Sequence, residues 1–258
     1  MSKAFGIVNF AGNHIQVDGL QAYRPVGAFS FLGRYRTIDF PISNMSNSGI
    51  DNIQVYVRRK PRSLTEHLGT GRHYNINSKR GQLNIMYTEN NRIGDIYSTD
   101  VAAYIENMDC IEKIHLPYVV IAPSYMVYTA DYSTFLSEHI ESGADISMMY
   151  HSVDNAKEAF LNCSTLNINK QKGVLSIEPN HGNAKNKNIS MDTYVMSKEL
   201  FIDLVKKAHK TSSMYTFADI LNEECENLDI RAVSHRGYFA AFCDFNSYYH
   251  ANMDLIDL

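Results

Sequence analysis

The side chains best suited to chemistry in this sequence are cations grouped where an anion could be held. Arg24, Arg34, Arg36 and the carboxylate of Asp39 fall in one short stretch, and Arg58-Arg59-Lys60-Pro61-Arg62 is the one basic cluster. Guanidinium groups present a fork of donors that matches phosphate or carboxylate oxygens, so the cluster could hold a phosphorylated effector or an acidic partner loop. The bland reading of Arg58, Arg59, Lys60 and Arg62 is a solvated loop after a strand. For residues 34–50 it is a glycine-stopped helix or turn doing structural work. The ten histidines never fall at H-x-H or H-x-x-x-H spacing, which argues against a zinc site and leaves no metal site expected. Cys110, Cys163, Cys225 and Cys243 lie far apart without a C-x-x-C pair, as in a chain kept reduced in the cytoplasm. No Ser-His-Asp or Cys-His arrangement emerges from spacing, and Cys163 and Cys243 read as core residues.

Those groups need a scaffold. With 258 residues, 45% of them hydrophobic, the chain can bury one large α/β core. A net charge of −4 gives no footprint for nucleic acid, and no run of about 18 apolar residues is present to cross a membrane. Short β-branched and aromatic runs at 5–10, 53–57 and 118–122 predict buried strands. Helical spacing at 98–110 and 131–140, the latter opened by Asp131 as cap, predicts covering helices. The second half predicts strands at 146–153, 165–168, 174–177 and 189–196, a mobile polar loop at 180–188, and helices at 198–210 and 216–227. This succession implies an α/β fold with a mainly parallel sheet, in one domain over 1–258. Ligands then belong in the loops after Phe10, Val57 and Ala122, at the carboxyl ends of the strands.

The stretch from Arg34-Tyr35-Arg36-Thr37-Ile38-Asp39-Phe40 through Ser43-Asn44-Met45-Ser46-Asn47-Ser48-Gly49-Ile50 resembles the F-R-x-I-D-F-x-L-S-N-x-x-N-S-G-I signature of glucose-1-phosphate adenylyltransferases. The likeness extends to Arg24-Pro25-Val26-Gly27-Ala28-Phe29, Ser63-Leu64-Thr65-Glu66-His67-Leu68, residues 118–132 and Tyr248-Tyr249-His250-Ala251-Asn252-Met253-Asp254-Leu255. It implies a Rossmann-like, GT-A-like nucleotidyltransferase domain with a mixed, mainly parallel sheet. In the family a left-handed β-helix follows; this sequence stops at Leu258, which reads as a truncated chain.

The resemblance also implies which positions should do chemistry, and here they depart from it. The family's glycine-rich phosphate loop falls on Asn9-Phe10-Ala11-Gly12-Asn13-His14-Ile15-Gln16-Val17, where Gly12 is kept, His14 replaces a glycine and Gln16 replaces an arginine. Its two magnesium carboxylates fall at Tyr125 and Ala241, its lysines at Val26 and Glu178, and the aspartate of its Y-R-G-T-A-D-A segment at Ala102. The family uses Mg2+, but none is expected to be organised without those carboxylates. Gly12, Arg24, Arg34, Arg36 and Asp39 remain as pocket candidates. The pattern is similar to that of the non-catalytic, GlgD-type subunit, which implies a regulatory role beside a catalytic subunit in a heterotetramer of glycogen synthesis. Two alternatives stay open: a slow adenylyltransferase using displaced carboxylates such as Asp100 or Asp131, and a module binding a nucleotide or sugar phosphate.

Overall fold

A near-continuous apolar run can satisfy its backbone only in a ladder covered on both faces. The computed structural model, which describes residues 3–69, 71, 74–76, 81–88 and 97–255, places β1 (Ala4–Asn9) at such a position. A hairpin of β2 (Ser30–Phe31) and β3 (Tyr35–Arg36) leads into α1 (Asp39–Asn47), then β4 (Asn52–Val57), α2 (Arg62–Leu68) and β5 (Gln82–Tyr87). Next come α3 (Asp100–Glu106), α4 (Met108–Glu112), β6 (Tyr118–Pro123), β7 (Met126–Tyr128) and α5 (Tyr132–Ser142). The second half holds β8 (Ile146–Val153), β9 (Ser164–Ile168), β10 (Val174–Pro179) and the long β11 (Lys187–Ser197). It closes with α6 (Lys198–Thr211), α7 (Phe217–Glu223), β12 (Ile230–Ser234), β13 (Phe239–Ala241) and α8 (Phe245–Asp254).

The first half pairs in parallel, β1 with both β4 and β6 and β4 with β5. β11 then joins β6 antiparallel and carries β8 and β9 antiparallel to itself, with β12 parallel to β8. The sheet is therefore mixed and mostly parallel at its centre, as the succession of elements implies. Alternate side chains of β1 feed two cores: Val8 faces a cluster with Met45, Leu64, Tyr132 and Phe242, while Phe5 and Ile7 face Tyr104, Phe201 and Phe217. No described helix is long and apolar enough to cross a membrane.

The structure departs from the sequence reading in three places. The helix expected at 98–110 is two helices, broken at Asn107, whose amide donates to the Ala103 carbonyl at 3.0 Å and competes with the helix ladder. The polar loop at 180–188 begins on an anchor. Asn180 is buried and its amide donates to the carbonyls of Ala156, Ala159 and Phe160 at 2.9, 3.2 and 3.0 Å, while Lys187 and Asn188 already belong to β11. β5 and β12 are additional strands. Residues 1–2, 70, 72–73, 77–80, 89–96 and 256–258 of the single domain read from sequence lie outside the described residues.

The second core contains a testable imperfection. Tyr104 packs edge-on against Tyr56 and Phe201 with ring centroids 5.0 and 5.2 Å apart, yet its buried hydroxyl has no hydrogen-bond partner. Deleting an unsatisfied buried hydroxyl removes a desolvation cost and keeps the ring. Tyr104→Phe is expected to raise stability by about 1 kcal/mol in urea unfolding. A loss of that size would mean that the hydroxyl has a partner.

Candidate functional site

β1 is the strand from which the chain winds outward both ways, to β4 on one side and β6 on the other. Open α/β sheets leave a crevice at the carboxyl ends of such strands. Two cavities lie there, on either side of the loop that follows β1, and Phe10 and Asn13 line both. The smaller, of about 270 Å3, is walled by Gln16, Arg24, Val26, Arg58, Arg59 and Lys60 among others. The larger, of about 390 Å3, is walled by Asn9, His14, Asp100, Tyr125, Asp192 and Tyr194 among others.

The loop between the cavities is held by bonds within the protein. The Phe10 N–H donates to Asn9 Oδ1 at 3.0 Å and the Ile15 N–H to the Gly12 carbonyl at 3.1 Å. The Gln16 N–H reaches the Cys243 carbonyl at 3.3 Å and the Val17 N–H reaches Gln21 Oε1 at 2.7 Å. A phosphate cradle needs backbone N–H groups turned toward the ligand, and these four are occupied. Gly12 serves a different closeness: a Cβ there would come within 2.6 Å of the His14 ring, which lies over it.

Tyr125 and Ala241, far apart in sequence, come to adjoining strands without pairing with each other. β7 and β13 form a two-stranded ladder in which Met126 opposes Ala241, and the Phe242 N–H donates to the Tyr125 carbonyl at 2.9 Å. Both residues are buried. The Tyr125 hydroxyl donates at 2.5 Å to Asp192 Oδ2, and burial followed by the Asp192 charge pushes its pKa well up. Asp192 itself lies at the irregularity of β11 between Ser190 and Tyr194, with φ 44°, a left-handed backbone rarely adopted by residues with a side chain. It also accepts from the hydroxyls of Ser190 at 3.1 Å and Tyr194 at 3.3 Å. The sequence reading missed Asp192, because a bulge and not a motif turns it into the cavity.

Asp100 shares that cavity. Its carboxylate accepts from the Val101 and Phe217 N–H groups at 2.9 and 3.0 Å and from Asn9 Nδ2 at 3.1 Å. Burial dominates those bonds and, with the Asp192 charge adding to it, raises its pKa to about 6. Both carboxylates are thus engaged by protein donors. Among the described residues no group of three His, Cys, Asp or Glu side chains is placed to hold a metal. Asp131 is elsewhere, spent as the cap of α5 through Ser133 N–H and the hydroxyls of Ser133 and Thr134, and these bonds lower its pKa to about 2.

Of the other residues named from sequence, Arg24 and Val26 reach the smaller cavity and Gly12 the larger. Arg34, Arg36 and Asp39 line neither. Arg34 is exposed over the Tyr35 ring, and Arg36 donates to the Ser63 carbonyl. Asp39 accepts from Arg36 N–H at 2.8 Å, His67 Nε2 at 2.6 Å and the Tyr74 hydroxyl at 2.5 Å, tying β3, α1 and α2 together. Glu178 lies on β10, where Oε1 accepts from Asn167 and Ser176 at 2.9 Å, and Ala102 is in α3; neither lines a cavity. The basic cluster splits: Arg58, Arg59 and Lys60 face the smaller cavity, while Arg62 pairs with Glu66 on α2 at 2.7 Å.

The family model for nucleotidyl transferases matches residues 11–257. A glucose-1-phosphate adenylyltransferase of Lachnospira eligens is 30% identical over 90% of this chain and 55% of its own length. One of Clostridioides difficile is 29% identical over 89% of this chain and 60% of its own. The glycogen biosynthesis protein GlgD of Geobacillus stearothermophilus is 25% identical over 89% of this chain and 57% of its own. The chain thus spans 55–60% of the length of these curated relatives. In fold it is similar to a Bacillus anthracis structure assigned as a glucose-1-phosphate thymidylyltransferase, with a TM-score of 0.78 at 14% identity over 99% of this chain and 96% of the other. With a sheet that opens at β1, a crevice at its carboxyl edge and a family match over nearly its whole length, the chain belongs to the nucleotidyl transferase family.

Proposed function

We propose that this chain is a regulatory, catalytically impaired subunit of a glucose-1-phosphate adenylyltransferase, working in glycogen synthesis in the cytoplasm through contact with a catalytic partner. The observation that carries this reading is the chemistry of Tyr125 and Ala241, the two positions on adjoining strands where the resemblance implies magnesium carboxylates. The β7–β13 ladder pairs Ala241 with Met126, and Tyr125 stands one residue before that pair, so the two positions lie on adjoining strands but hold a methyl group and a phenol. A hard cation binds oxygen anions, and the nearby carboxylates of Asp192 and Asp100 are already taken by protein donors. The residues present therefore do not fit magnesium.

The occupied N–H groups of the 10–17 loop point the same way. Transfer of a nucleotidyl group between phosphates depends on positioned cations and donors far more than on covalent help from the protein. Without them the scaffold can still present a surface to a partner. Asp131 is too remote to rescue the chemistry, since it caps a helix outside both cavities.

The test is a titration of a catalytic adenylyltransferase subunit with this protein. Co-assembly by light scattering together with a changed kcat or effector response is expected. Unchanged assembly and unchanged kinetics across the titration would overturn the regulatory reading. A module that only binds a phosphorylated ligand is the second reading, favoured by the cations of the smaller cavity.

A further inference from the structure

We propose that Cys163 and Cys243 are an oxidation site, a buried dithiol that closes to a reversible disulfide when it meets hydrogen peroxide. The two positions are 80 residues apart and share no sequence motif, yet the fold brings their sulfurs into direct contact. The other two cysteines have different surroundings. Cys110 is exposed on α4, and Cys225, just after α7, donates its thiol proton to the Leu221 carbonyl at 3.3 Å.

Both ends of the pair are held by their own backbones. Cys163 closes a turn in which Phe160 and Asn162 take φ 58° and 66°, left-handed conformations that persist only where the surroundings enforce them. Asn180 does the enforcing: its carbonyl accepts from the Asn162 N–H at 3.1 Å, and its N–H donates to the Cys163 carbonyl at 2.8 Å. The Phe160 ring stacks on Phe239 of β13, with centroids 5.5 Å apart and planes at 9°, which lays the turn against the strand that Cys243 follows. Cys243 in turn donates its N–H to Ser247 Oγ at 3.0 Å in α8, and its carbonyl accepts from the Gln16 N–H at 3.3 Å. Two groups fixed in contact react with each other at a high effective concentration, which favours the internal disulfide over a mixed one.

The pair divides the chemistry. The hydrogen bond to Cys243, and then burial, push the Cys163 thiol up, so it keeps its proton and reacts second. The Cys243 thiolate attacks one peroxide oxygen, breaking the O–O bond and leaving a sulfenic acid and hydroxide, which takes up the Cys243 proton as water. The Cys163 sulfur then displaces the sulfenic hydroxyl, which leaves with the Cys163 proton as a second water. Two thiols are oxidised and one peroxide is reduced; a small dithiol reverses the bond by exchange. Ser164, next to Cys163, and Tyr125, packed in the same core cluster as both cysteines, line the larger cavity, which therefore comes within one residue of the pair. The new bond would tie the start of β9 to the junction of β13 and α8 and, through the Gln16 N–H on Cys243, to the loop between the two cavities.

The experiment treats the full chain with a small excess of hydrogen peroxide, then counts thiols in denaturant and maps the peptides by mass spectrometry. The count should fall from four to two, with Cys163 and Cys243 joined within one chain. Linking positions 80 residues apart restricts the unfolded chain, so the melting temperature should rise by about 10 °C and return on adding dithiothreitol. Cys163→Ala should show neither the link nor the rise. If that variant folds poorly, Cys110→Ser/Cys225→Ser, which keeps only the pair, should go from two thiols to none. Peroxide that consumes Cys110 while Cys163 and Cys243 stay reduced would overturn the site, as would a rise in melting temperature that persists in Cys163→Ala. None of these readouts involves a nucleotide, a metal or a partner subunit, so this site and the proposed function can fail separately.

Discussion

Asp39→Ala is expected to destabilise the fold by about 3 kcal/mol, the loss of a carboxylate that satisfies several donors at once. Its two oxygens accept from the Arg36 N–H, the His67 ring and the Tyr74 hydroxyl, and Tyr74 is itself buried. Alanine leaves all three donors to find other partners, and removes a negative charge from the first turn of α1, where the helix dipole favours one. For a chain of this size the change should lower the melting temperature by about 10 °C. The same variant decides between two roles for Asp39. As a strut joining β3, α1 and α2, its loss should leave any affinity of the folded protein for ATP or glucose 1-phosphate within about twofold, since it lines neither cavity. A large loss of affinity at unchanged stability would place Asp39 in the site after all.

Asp100→Asn should stabilise the protein, and the gain should depend on pH. Burial raises the Asp100 pKa from 3.8 to about 6 in the folded state. The native carboxyl therefore holds its proton where the unfolded one has lost it, and stability falls as pH rises between those values. The favourable contribution is complete below about pH 4, fades through the interval from 4 to 6, and is gone above it. Asparagine carries no such proton, and its carbonyl can still accept from the Val101 and Phe217 N–H groups. Relative to the native protein, the variant should gain nothing near pH 4 and roughly 1–2 kcal/mol above pH 6. Urea unfolding at pH 4 and pH 8, at the two ends of the window, measures it. An Asn variant that is less stable at the higher pH would show that the charge is needed, and would revive a binding role for this carboxylate.

How far the sequence carries depends on the range of the interaction that shapes each element. β1, β4 and β6 are legible because each is an apolar run buried on both faces, a property of the segment itself. Asp131 as the cap of α5 is legible for the same reason, since its partners lie within three residues. β5 and β12 do carry a signal, the alternation in Gln82-Leu83-Asn84-Ile85 and Ile230-Arg231-Ala232-Val233, but a short alternating run gains its strand from its neighbour. The break at Asn107 needs its side chain in place before it can be seen.

The crevice divides along the same line. Which loops surround it follows from strand order, and Arg24, Val26 and Gln16 do reach it. Arg36 and Asp39 look like binding groups in the sequence because an arginine next to a carboxylate reads the same whether it faces a ligand or the scaffold. Only the hydrogen bonds to Ser63, His67 and Tyr74 separate the two cases. Asp192 had no local signal, since its place at the cavity comes from a bulge and from Tyr125, which is 67 residues away in sequence. The division of the basic cluster is equally tertiary: a left-handed Lys60 and an Arg62–Glu66 pair set which cations face inward.

The measurement that bears most directly on the loss of catalysis is pyrophosphate release from ATP and glucose 1-phosphate, with magnesium, by the purified chain alone. Release at the background rate is the expected result, because a phenol and a methyl group stand at Tyr125 and Ala241, and the Phe10, Ile15, Gln16 and Val17 N–H groups are bonded within the protein. Magnesium-dependent turnover near that of a working adenylyltransferase, abolished by Asp100→Asn, would contradict it and assign the chemistry to the carboxylates of the larger cavity.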